Sequence, residues 1–207
     1  MITEGLNYYY GHARGNQSHT YLLPVVERVA ALMPDSERPV LDLGCGNGFV
    51  TNHLAQLGFA AIGIDPSDRG LQIARRAYPH VRFLQADAYD DLTGQLGSFS
   101  LVVSLEVVEH LYSPARFAST LFDVTKPGGM AVVSTPSNGY WKYLGLAVLG
   151  RLDRYHQPLH EGGHIKFFSA PQLHRLLSEA GFAVEMIERV GRVSPLAKSM
   201  VAIARRP

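Results

Sequence analysis

VLDLGCGNG, residues 40–48, decides the fold of this chain. It begins with a short, mostly apolar run that predicts a buried strand, and its glycines let the backbone turn sharply without Cβ atoms in the way. The spacing is G-x-G-x-G, with Asp42 two residues before the first glycine. A carboxylate there would repel a pyrophosphate, whereas it suits a ligand that carries an ammonium group. The stretch therefore predicts a ligand-binding turn between a strand and a helix.

The segments around this turn alternate between short apolar runs and helical patterns. Seven strands are predicted, at residues 39–43, 60–64, 81–85, 99–105, 130–134, 183–187 and 199–204, and the last two are expected to pair as a hairpin. Helices are predicted over 17–33, 47–57, 71–77, 114–124 and 171–180. Such alternation indicates a parallel sheet covered on both faces. The predicted fold class is α/β: a single Rossmann-like, doubly wound, mostly parallel seven-stranded sheet with an antiparallel end strand and helices on both faces.

The composition narrows the class of protein. The 207 residues are 46% hydrophobic and carry a formal net charge of +1, which predicts a globular chain without the basic excess of a typical nucleic-acid binder. The single cysteine, Cys45, excludes an internal disulfide and a multi-cysteine metal site. The chain shows no pattern of a secretory leader, and its apolar stretch at 144–149 is far shorter than the roughly 20 residues that span a bilayer. We therefore expect a cytoplasmic protein without a transmembrane segment.

Acidic side chains follow the second and third predicted strands. Asp65 stands about 20 residues after the glycines, where an acid can accept hydrogen bonds from ribose hydroxyls. Asp87, followed by Ala88, ends the third strand, where it can contact the edge of an adenine ring. Ligands of such sheets bind outside the carboxyl ends of the strands. We therefore expect the glycine turn and both acids around one nucleoside-containing ligand.

Five segments in this order resemble those of class I S-adenosylmethionine-dependent methyltransferases. They are VLDLGCGNG at 40–48, GID at 63–65, ADA at 86–88, SLEVVEH at 104–110 and KPGG at 126–129. The resemblance covers residues 40–182 and implies S-adenosylmethionine as the cofactor. We expect residues 1–207 to form a single methyltransferase domain, which divides into an N-terminal arm and helix (1–36), a cofactor-binding half (37–135), a lid or insertion (136–169), and a C-terminal helix with end strands (170–207).

The resemblance also implies roles for the residues at the strand ends. The glycine turn with Asp42 would hold the methionine moiety. Asp65 would hold the ribose, Asp87 the adenine ring, and Leu105 would line the adenosine pocket. Cys45 is either a reactive thiol or a small residue that contributes only its backbone, and the second interpretation is favoured because no basic residue is adjacent. The predicted cofactor-binding set is Asp42, Gly44, Cys45, Gly46, Asn47, Asp65, Pro66, Asp87, Ala88 and Leu105.

The fourth predicted strand is followed by Glu106, Glu109 and His110. On a helix, this spacing would place all three on one face. They could bind Mg²⁺, Mn²⁺ or Zn²⁺, and such an ion would lower the pKa of a substrate hydroxyl. The pattern is similar to ubiquinone-biosynthesis O-methyltransferases and to small-RNA 2′-O-methyltransferases, and this resemblance adds His164 as a fourth ligand. Two alternatives stay open: a metal-free His110 as general base, and carboxylates that only stabilise a helix N-terminus.

The predicted lid contains further histidines. His156, His160 and His164 are four residues apart, but a proline and two glycines in this segment disfavour a helix, so a loop over the active site is predicted. His164 is the preferred base from this loop and His160 is the second choice. The predicted catalytic set is His110, His164 and Glu109.

Residues 139–151 are strongly apolar and contain the single tryptophan. They could cover a hydrophobic substrate, make a peripheral membrane contact that presents lipid-linked acceptors, or pack against the sheet. Near the start of the chain, residues 8–10, all tyrosines, and His12 could close the pocket from the other side or belong to a packed arm.

The predicted activity is methyl transfer from S-adenosylmethionine to an oxygen of a small or lipid-linked hydroxylated metabolite, such as a phenol, a quinone precursor or a sugar. A histidine suits removal of the proton from such a hydroxyl. Three alternatives are an NAD-dependent oxidoreductase of Rossmann type, a small-RNA 2′-O-methyltransferase and a non-catalytic S-adenosylmethionine-binding protein. The nearly neutral charge argues against a nucleic-acid partner. The methyl acceptor and the oligomeric state do not follow from the sequence.

Overall fold

The structure is a computed structural model that describes residues 11–33, 39–156, 162–194 and 196–207, except the side chain of Arg154. The strands are β1 (Pro39–Leu43), β2 (Ala60–Asp65), β3 (Arg82–Gln85), β4 (Phe99–Leu105), β5 (Thr125–Pro136), β6 (Ala183–Val190) and β7 (Ser199–Arg205). The helices are α1 (His19–Ala30), α2 (Phe49–Gln56), α3 (Asp68–Ala77), α4 (Leu92–Leu96), α5 (Pro114–Val124), α6 (Tyr140–Val148), α7 (Leu152–His156) and α8 (Ala170–Glu179), with a 3₁₀ helix at Val108–His110.

The seven strands form one sheet in the order β3-β2-β1-β4-β5-β7-β6. The first five pair in parallel, whereas β7 is antiparallel to both of its neighbours, β5 and β6. The predicted mostly parallel sheet with an antiparallel end strand is therefore confirmed, and so is the closing hairpin. The strand order reverses between β1 and β4, which is where ligands bind in sheets of this kind.

Apolar side chains fill both faces of the sheet. On one face, α5 and α8 contribute the buried Phe117 and Leu173, and on the other α1 and α2 contribute Leu22 and Leu54. Residues 101–103 of β4 alternate between these two layers, as the geometry of a strand requires. Both faces of the sheet are therefore covered by helices, as predicted.

Three helices and the length of β5 do not follow from the sequence pattern. The short α4 is capped by Asp91, whose side chain accepts a hydrogen bond from the N–H of Gly94. In the predicted lid, α6 has no buried residue, so it lacks the periodicity of a helix that packs on a core, and α7 has only five residues. The KPGG segment belongs to β5 because its Gly128 N–H donates to the carbonyl oxygen of Arg206 at 2.8 Å. Among the described residues, no helix is long and apolar enough to cross a membrane.

Candidate active site

The glycine turn between β1 and α2 is fastened to the end of β2. The N–H groups of Gly44 and Cys45 both donate to the carbonyl oxygen of Ile64, at 2.8 and 2.9 Å. The N–H of Gly46 donates to Oδ2 of Asp65 at 2.9 Å. Gly44 and Gly46 have positive φ angles, 86° and 53°, which glycine adopts without strain. The turn therefore lies at the carboxyl edge of the sheet, where the sequence predicts it.

Asp42 has a buried carboxylate at this edge. The hydroxyl of Thr51 donates to its Oδ2 at 2.6 Å. Burial raises the pKa of the Asp42 carboxyl to about 7; the Thr51 hydrogen bond opposes this rise, and the nearby Asp65 adds to it. The groups that act on Asp42 in the described part of the chain include no basic side chain. A bound ammonium group would supply the missing positive charge, so this site fits the amino acid end of S-adenosylmethionine.

The carboxylate of Asp65 joins the glycine turn to the start of α3. Besides Gly46, it accepts a hydrogen bond from the N–H of Ser67 at 2.8 Å. Ser67 in turn caps α3, because its side chain accepts from the N–H of Gly70. Burial raises the pKa of Asp65, and its two backbone hydrogen bonds oppose this rise. The predicted contact with ribose hydroxyls would use its remaining lone pairs.

The other predicted nucleoside contacts lie along the same edge. Asp87 follows β3, and its Oδ1 accepts from the N–H of Tyr89 at 3.0 Å. Ala88 is buried, Pro66 follows β2, and Leu105 is half-buried at the end of β4. The structure therefore brings these residues to the strand ends at which they are predicted, and their contacts with the cofactor stay predictions.

Two side chains of the glycine turn act in different ways. The Asn47 amide donates to the carbonyl oxygens of His12 and Arg14, at 2.8 and 3.2 Å, so it holds the N-terminal segment against the turn. The Cys45 thiol is buried, and burial raises its pKa well above the usual value. The thiol is therefore protonated and unreactive, which supports the interpretation that Cys45 contributes its backbone.

Glu106 is separated from the other members of the Glu-x-x-Glu-His motif. Among the described residues it is the non-glycine residue with a positive φ, 57°, so the chain turns there before the 3₁₀ helix begins. Its carboxylate accepts hydrogen bonds from the hydroxyls of Ser134, at 2.8 Å, and Ser199, at 3.3 Å. Burial raises the pKa of Glu106 to about 7, while both serines and the Lys142 charge oppose this rise. The single helix face that the motif spacing would give does not form.

Glu109, His110 and His164 lie together instead. The Nε2 atoms of His110 and His164 are 3.9 and 4.0 Å from Oε1 of Glu109, and the two imidazole rings are in edge contact, with centroids 4.9 Å apart. One potential ligand atom from each of the three residues lies within 4.8 Å of the others. The predicted catalytic set is therefore assembled, and it coincides with three of the four predicted metal ligands.

The Glu109 carboxylate is buried and both of its oxygens lack a hydrogen-bond partner among the described residues. Burial, together with the Glu106 charge, raises the pKa of Glu109 well above its usual value. An unpartnered buried carboxylate beside two imidazoles is the arrangement that a divalent cation would satisfy, so these residues fit a metal.

His164 reaches Glu109 because its segment is hydrogen-bonded to the 3₁₀ helix. The N–H groups of Ile165 and Lys166 both donate to the backbone carbonyl oxygen of Glu109, each at 2.9 Å. A ring nitrogen of His110 also lies 3.3 Å from the carbonyl oxygen of Gly163. These contacts bring together residues that are more than 50 positions apart in the sequence.

The ends of the inserted segment also meet each other. The N–H of Asn138, before α6, donates to the carbonyl oxygen of Phe168, before α8, at 3.3 Å. Between them, His156 lies in α7 and contacts the ring of Phe167, with centroids 4.8 Å apart, and it is not part of the Glu109 cluster. The second predicted base, His160, lies outside the described residues, as do the tyrosines at 8–10.

Four polar residues of the site are missing from the sequence prediction. Thr51 and Ser67 support the two aspartates, and Lys142 and Tyr155 form a hydrogen-bonded pair in the lid. Ser67 has a signal, because a serine before a helix is a common cap. The other three lie within helices, and a threonine, a lysine or a tyrosine inside a helix gives no sequence signal for a functional role.

Comparison with known proteins connects this geometry to one family. A family model described as a methyltransferase domain matches residues 14–187. A ubiquinone biosynthesis O-methyltransferase of Thiobacillus denitrificans is 32% identical over 158 residues, which cover 73% of this chain and 67% of that protein. A second one, from Caulobacter vibrioides, is 34% identical over 125 residues, which cover 58% of this chain and 49% of that protein. The chain thus spans between 49% and 67% of the length of these relatives.

Solved structures share the fold at lower identity. An S-adenosylmethionine-dependent methyltransferase from Mesorhizobium loti superposes with a TM-score of 0.68 at 24% identity, covering 87% of this chain and 96% of that one. A methyltransferase structure from Bacillus halodurans gives the same TM-score, 0.68, at 19% identity. The match covers 90% of this chain and 98% of that one. The family match and the curated relatives decide against the oxidoreductase alternative. This chain belongs to the S-adenosylmethionine-dependent methyltransferases.

Proposed function

We propose that this chain methylates a hydroxyl oxygen of a small or lipid-linked metabolite, such as a phenol, a quinone precursor or a sugar. The observation that carries the proposal is the Glu109 carboxylate beside His110 and His164, because an imidazole backed by a carboxylate can remove a hydroxyl proton. The names of the relatives, ubiquinone biosynthesis O-methyltransferases, support an oxygen acceptor. RNA is a weaker candidate because the net charge of +1 gives no basic excess.

The cofactor supplies an electrophilic methyl group when it is bound. The protein then has to hold the acceptor oxygen about 3 Å from the methyl carbon and accept the proton. We assign the proton to His164, whose side chain is 40% exposed and can meet a substrate, whereas that of His110 is 14% exposed. Glu109 would stabilise the resulting imidazolium, and His110 would orient the pair. The glycine turn with Asp42, Asp65 and Asp87 would keep the methyl group in place.

As an alternative to proton transfer to His164, we propose that Glu109, His110 and His164 hold a divalent metal ion, in which case His164 is a ligand and not the base. A carboxylate with two imidazoles suits Mn²⁺ or Zn²⁺ better than Mg²⁺, which prefers oxygen ligands. Such an ion would supply positive charge that lowers the pKa of an acceptor hydroxyl. Glu106 is a weaker fourth ligand than the sequence indicates, because Ser134 and Ser199 already bind its oxygens.

We also propose that α6 makes a peripheral membrane contact. Its apolar residues are largely exposed, including Tyr140, Trp141 and Val148. A surface helix with exposed aromatic residues is typical of a membrane interface, and it would suit a lipid-linked acceptor. The cytoplasmic location stays a prediction from the sequence.

A methyl-acceptor screen with labelled S-adenosylmethionine tests the proposed function. The panel would contain catechols and other quinone precursors, sugars, lipid-linked saccharides and small RNA, each with and without chelator. We expect label on a hydroxyl oxygen, and a 10²- to 10⁴-fold slower transfer by His164→Ala, roughly the contribution of a general base. His174→Ala, on the exposed surface of α8, is the matched control. Label confined to nitrogen, carbon or RNA would contradict the proposal.

A further inference from the structure

Lys142 departs from the rest of α6 because its side chain turns toward the sheet. Its Nζ donates to the backbone carbonyl oxygen of Ser137 at 3.1 Å and to the hydroxyl of Tyr155 at 2.7 Å. Ser137 follows β5 directly, so the ammonium group lies at the carboxyl edge of the sheet. This is the edge at which the cofactor turn and the Glu109 cluster also lie. Lys142 therefore faces this edge of the sheet, whereas its neighbour Trp141 is exposed to solvent.

The ammonium group is held in a fixed frame. The hydroxyl of Tyr155 donates to Oδ1 of Asn138 at 3.2 Å, and that of Tyr143 donates to the same oxygen at 3.1 Å. The Nζ of Lys142 also lies 4.6 Å from the centroid of the Tyr155 ring. A lysine fixed in this way loses little conformational entropy when it binds a ligand.

The charge around Lys142 is not balanced by a direct counter-ion. Burial lowers the pKa of Lys142, the positive charge of Arg192 lowers it further, and the charge of Glu106 opposes both. Glu106 already accepts hydrogen bonds from two serines. In the part of the chain that the structure describes, no carboxylate forms an ion pair with Lys142. Lys142 therefore lies near a second cation, and the one carboxylate that acts on it is hydrogen-bonded elsewhere.

We propose that Lys142 is a specificity-determining residue that binds an anionic oxygen of the acceptor, from either a carboxylate or a phosphate group. An ammonium group has three donors, and two of those on Lys142 are used by Ser137 and Tyr155, which leaves one for the acceptor. Arg192, whose charge acts on Lys142, would add a second positive charge nearby. This inference rests on the proposed function and narrows it, because it makes the acceptor a hydroxylated acid.

Calorimetric titration tests this inference without methyl transfer. Protein loaded with S-adenosylhomocysteine would be titrated with three catechols: neutral 3,4-dihydroxybenzyl alcohol, its phosphate ester, and 3,4-dihydroxyphenylacetate. We expect at least one anionic catechol to bind about 10-fold or more tightly than the alcohol, the range of a hydrogen bond to a charged group. In Lys142→Met the preference should fall below about 2-fold. Arg151→Met, an exposed basic residue just after α6, is the matched control and should keep the preference.

The two anionic catechols distinguish the sources of the negative charge. If one of them binds more tightly than the other, the site prefers its anionic group, a carboxylate or a phosphate. If both bind more tightly than the alcohol by the same factor, the site recognises charge alone. Lys142→Gln provides a second variant if the methionine variant does not bind S-adenosylhomocysteine. The inference is overturned if neither anionic catechol binds saturably, if the wild type shows no preference, or if the preference survives loss of the lysine. Methylation of nitrogen or carbon in the acceptor screen would overturn the proposed oxygen acceptor but would leave the anion preference measurable.

Discussion

A Cβ atom on Gly44 would lie 2.5 Å from Cγ2 of Val107. Gly44 belongs to the cofactor turn, and Val107 stands between Glu106 and the 3₁₀ helix, so the two functional turns of the protein are packed against each other. Gly44 also has a φ of 86°, a conformation that other residues adopt only with strain. The glycine turn and the segment that leads to Glu109 and His110 therefore share one contact.

Gly44→Ala should weaken binding of S-adenosylhomocysteine and destabilise the fold, by roughly 1–3 kcal/mol in sum, because it adds both a clash and backbone strain. Calorimetric titration and chemical denaturation measure the two effects. Gly97→Ala is the matched control, since Gly97 has a φ of 77° but no atom within 4 Å of the added Cβ. The double variant Gly44→Ala and Val107→Ala should recover the part of the lost affinity and stability that comes from the clash. Equal effects of the two single glycine variants would show that this contact is unimportant.

Asp42 should make the protein sensitive to pH near neutrality. Its pKa is raised from 3.8 to about 7, so the folded protein without cofactor binds this proton more tightly than the unfolded chain does. The Asp42 contribution is therefore unfavourable at neutral pH and fades as the pH falls from about 7 toward about 4. A bound ammonium group prefers the ionised form, so affinity for S-adenosylhomocysteine should rise from about pH 6 to about pH 8.

Asp42→Asn removes the charge with little change in shape. We expect it to weaken S-adenosylhomocysteine binding about 10-fold or more at pH 8 and to flatten the pH dependence of the affinity. Asp68→Asn, at the exposed start of α3, controls for a general effect of charge. If Asp42→Asn retains the wild-type affinity and pH profile, Asp42 does not bind the ammonium group.

The Glu109 cluster should bind metal in the absence of any acceptor. We expect Mn²⁺ or Zn²⁺ to raise the thermal midpoint of the metal-free protein, since a ligand that binds only the folded state stabilises it. Glu109→Gln and His164→Ala should abolish this shift, and Glu106→Gln should retain most of it, because Glu106 lies outside the cluster. His174→Ala is the control. A shift that depends on none of these residues would place the metal elsewhere, and no shift would favour the metal-free mechanism.

The exposed face of α6 should bind lipid vesicles. We expect cosedimentation of the wild type with anionic vesicles and at least about 100-fold weaker binding by the double variant Trp141→Ser and Val148→Ser, because each exposed apolar side chain adds roughly 1.5–3 kcal/mol when it is buried. Leu32→Ser, which removes an equally exposed leucine at the end of α1, is the matched control. Equal sedimentation of all three proteins would contradict a membrane role for α6.

The cofactor edge follows from the sequence to a large extent, because strand ends have strong local signals. The apolar runs before Asp42 and Asp65 place both acids at the same edge once the strands are known to be parallel. What the sequence does not show is the support of these acids. Thr51 lies one turn into α2, and its hydrogen bond to Asp42 depends on the distance between a strand and a helix that only packing determines.

The acceptor side is less predictable because it depends on backbone conformation and on contacts distant in sequence. The prediction that Glu106, Glu109 and His110 share one face assumes a continuous helix. Glu106 has a left-handed backbone conformation, so no helix runs through it and the predicted face does not form. His164 was identified through the resemblance, whereas its approach to Glu109 depends on backbone hydrogen bonds from Ile165 and Lys166 that leave no trace in side-chain patterns. In α6, the apolar residues face outward, so hydrophobic periodicity carries no information about that helix.

The hydrogen bond between Asn138 and Phe168 joins the two ends of the inserted segment. The segment can therefore vary without moving the residues that are predicted to bind the methyl donor. A loop whose ends are already joined changes length at a small entropic cost, about 0.6 kcal/mol for each doubling. The carbonyl oxygen of Glu109 independently fixes the residues after His164. We therefore expect the segment at 139–162 to tolerate exchange or lengthening while the proposed base, the proposed metal ligands and the cofactor turn keep their positions. Grafting this one continuous piece of chain is then expected to change the acceptor and to leave cofactor binding unchanged.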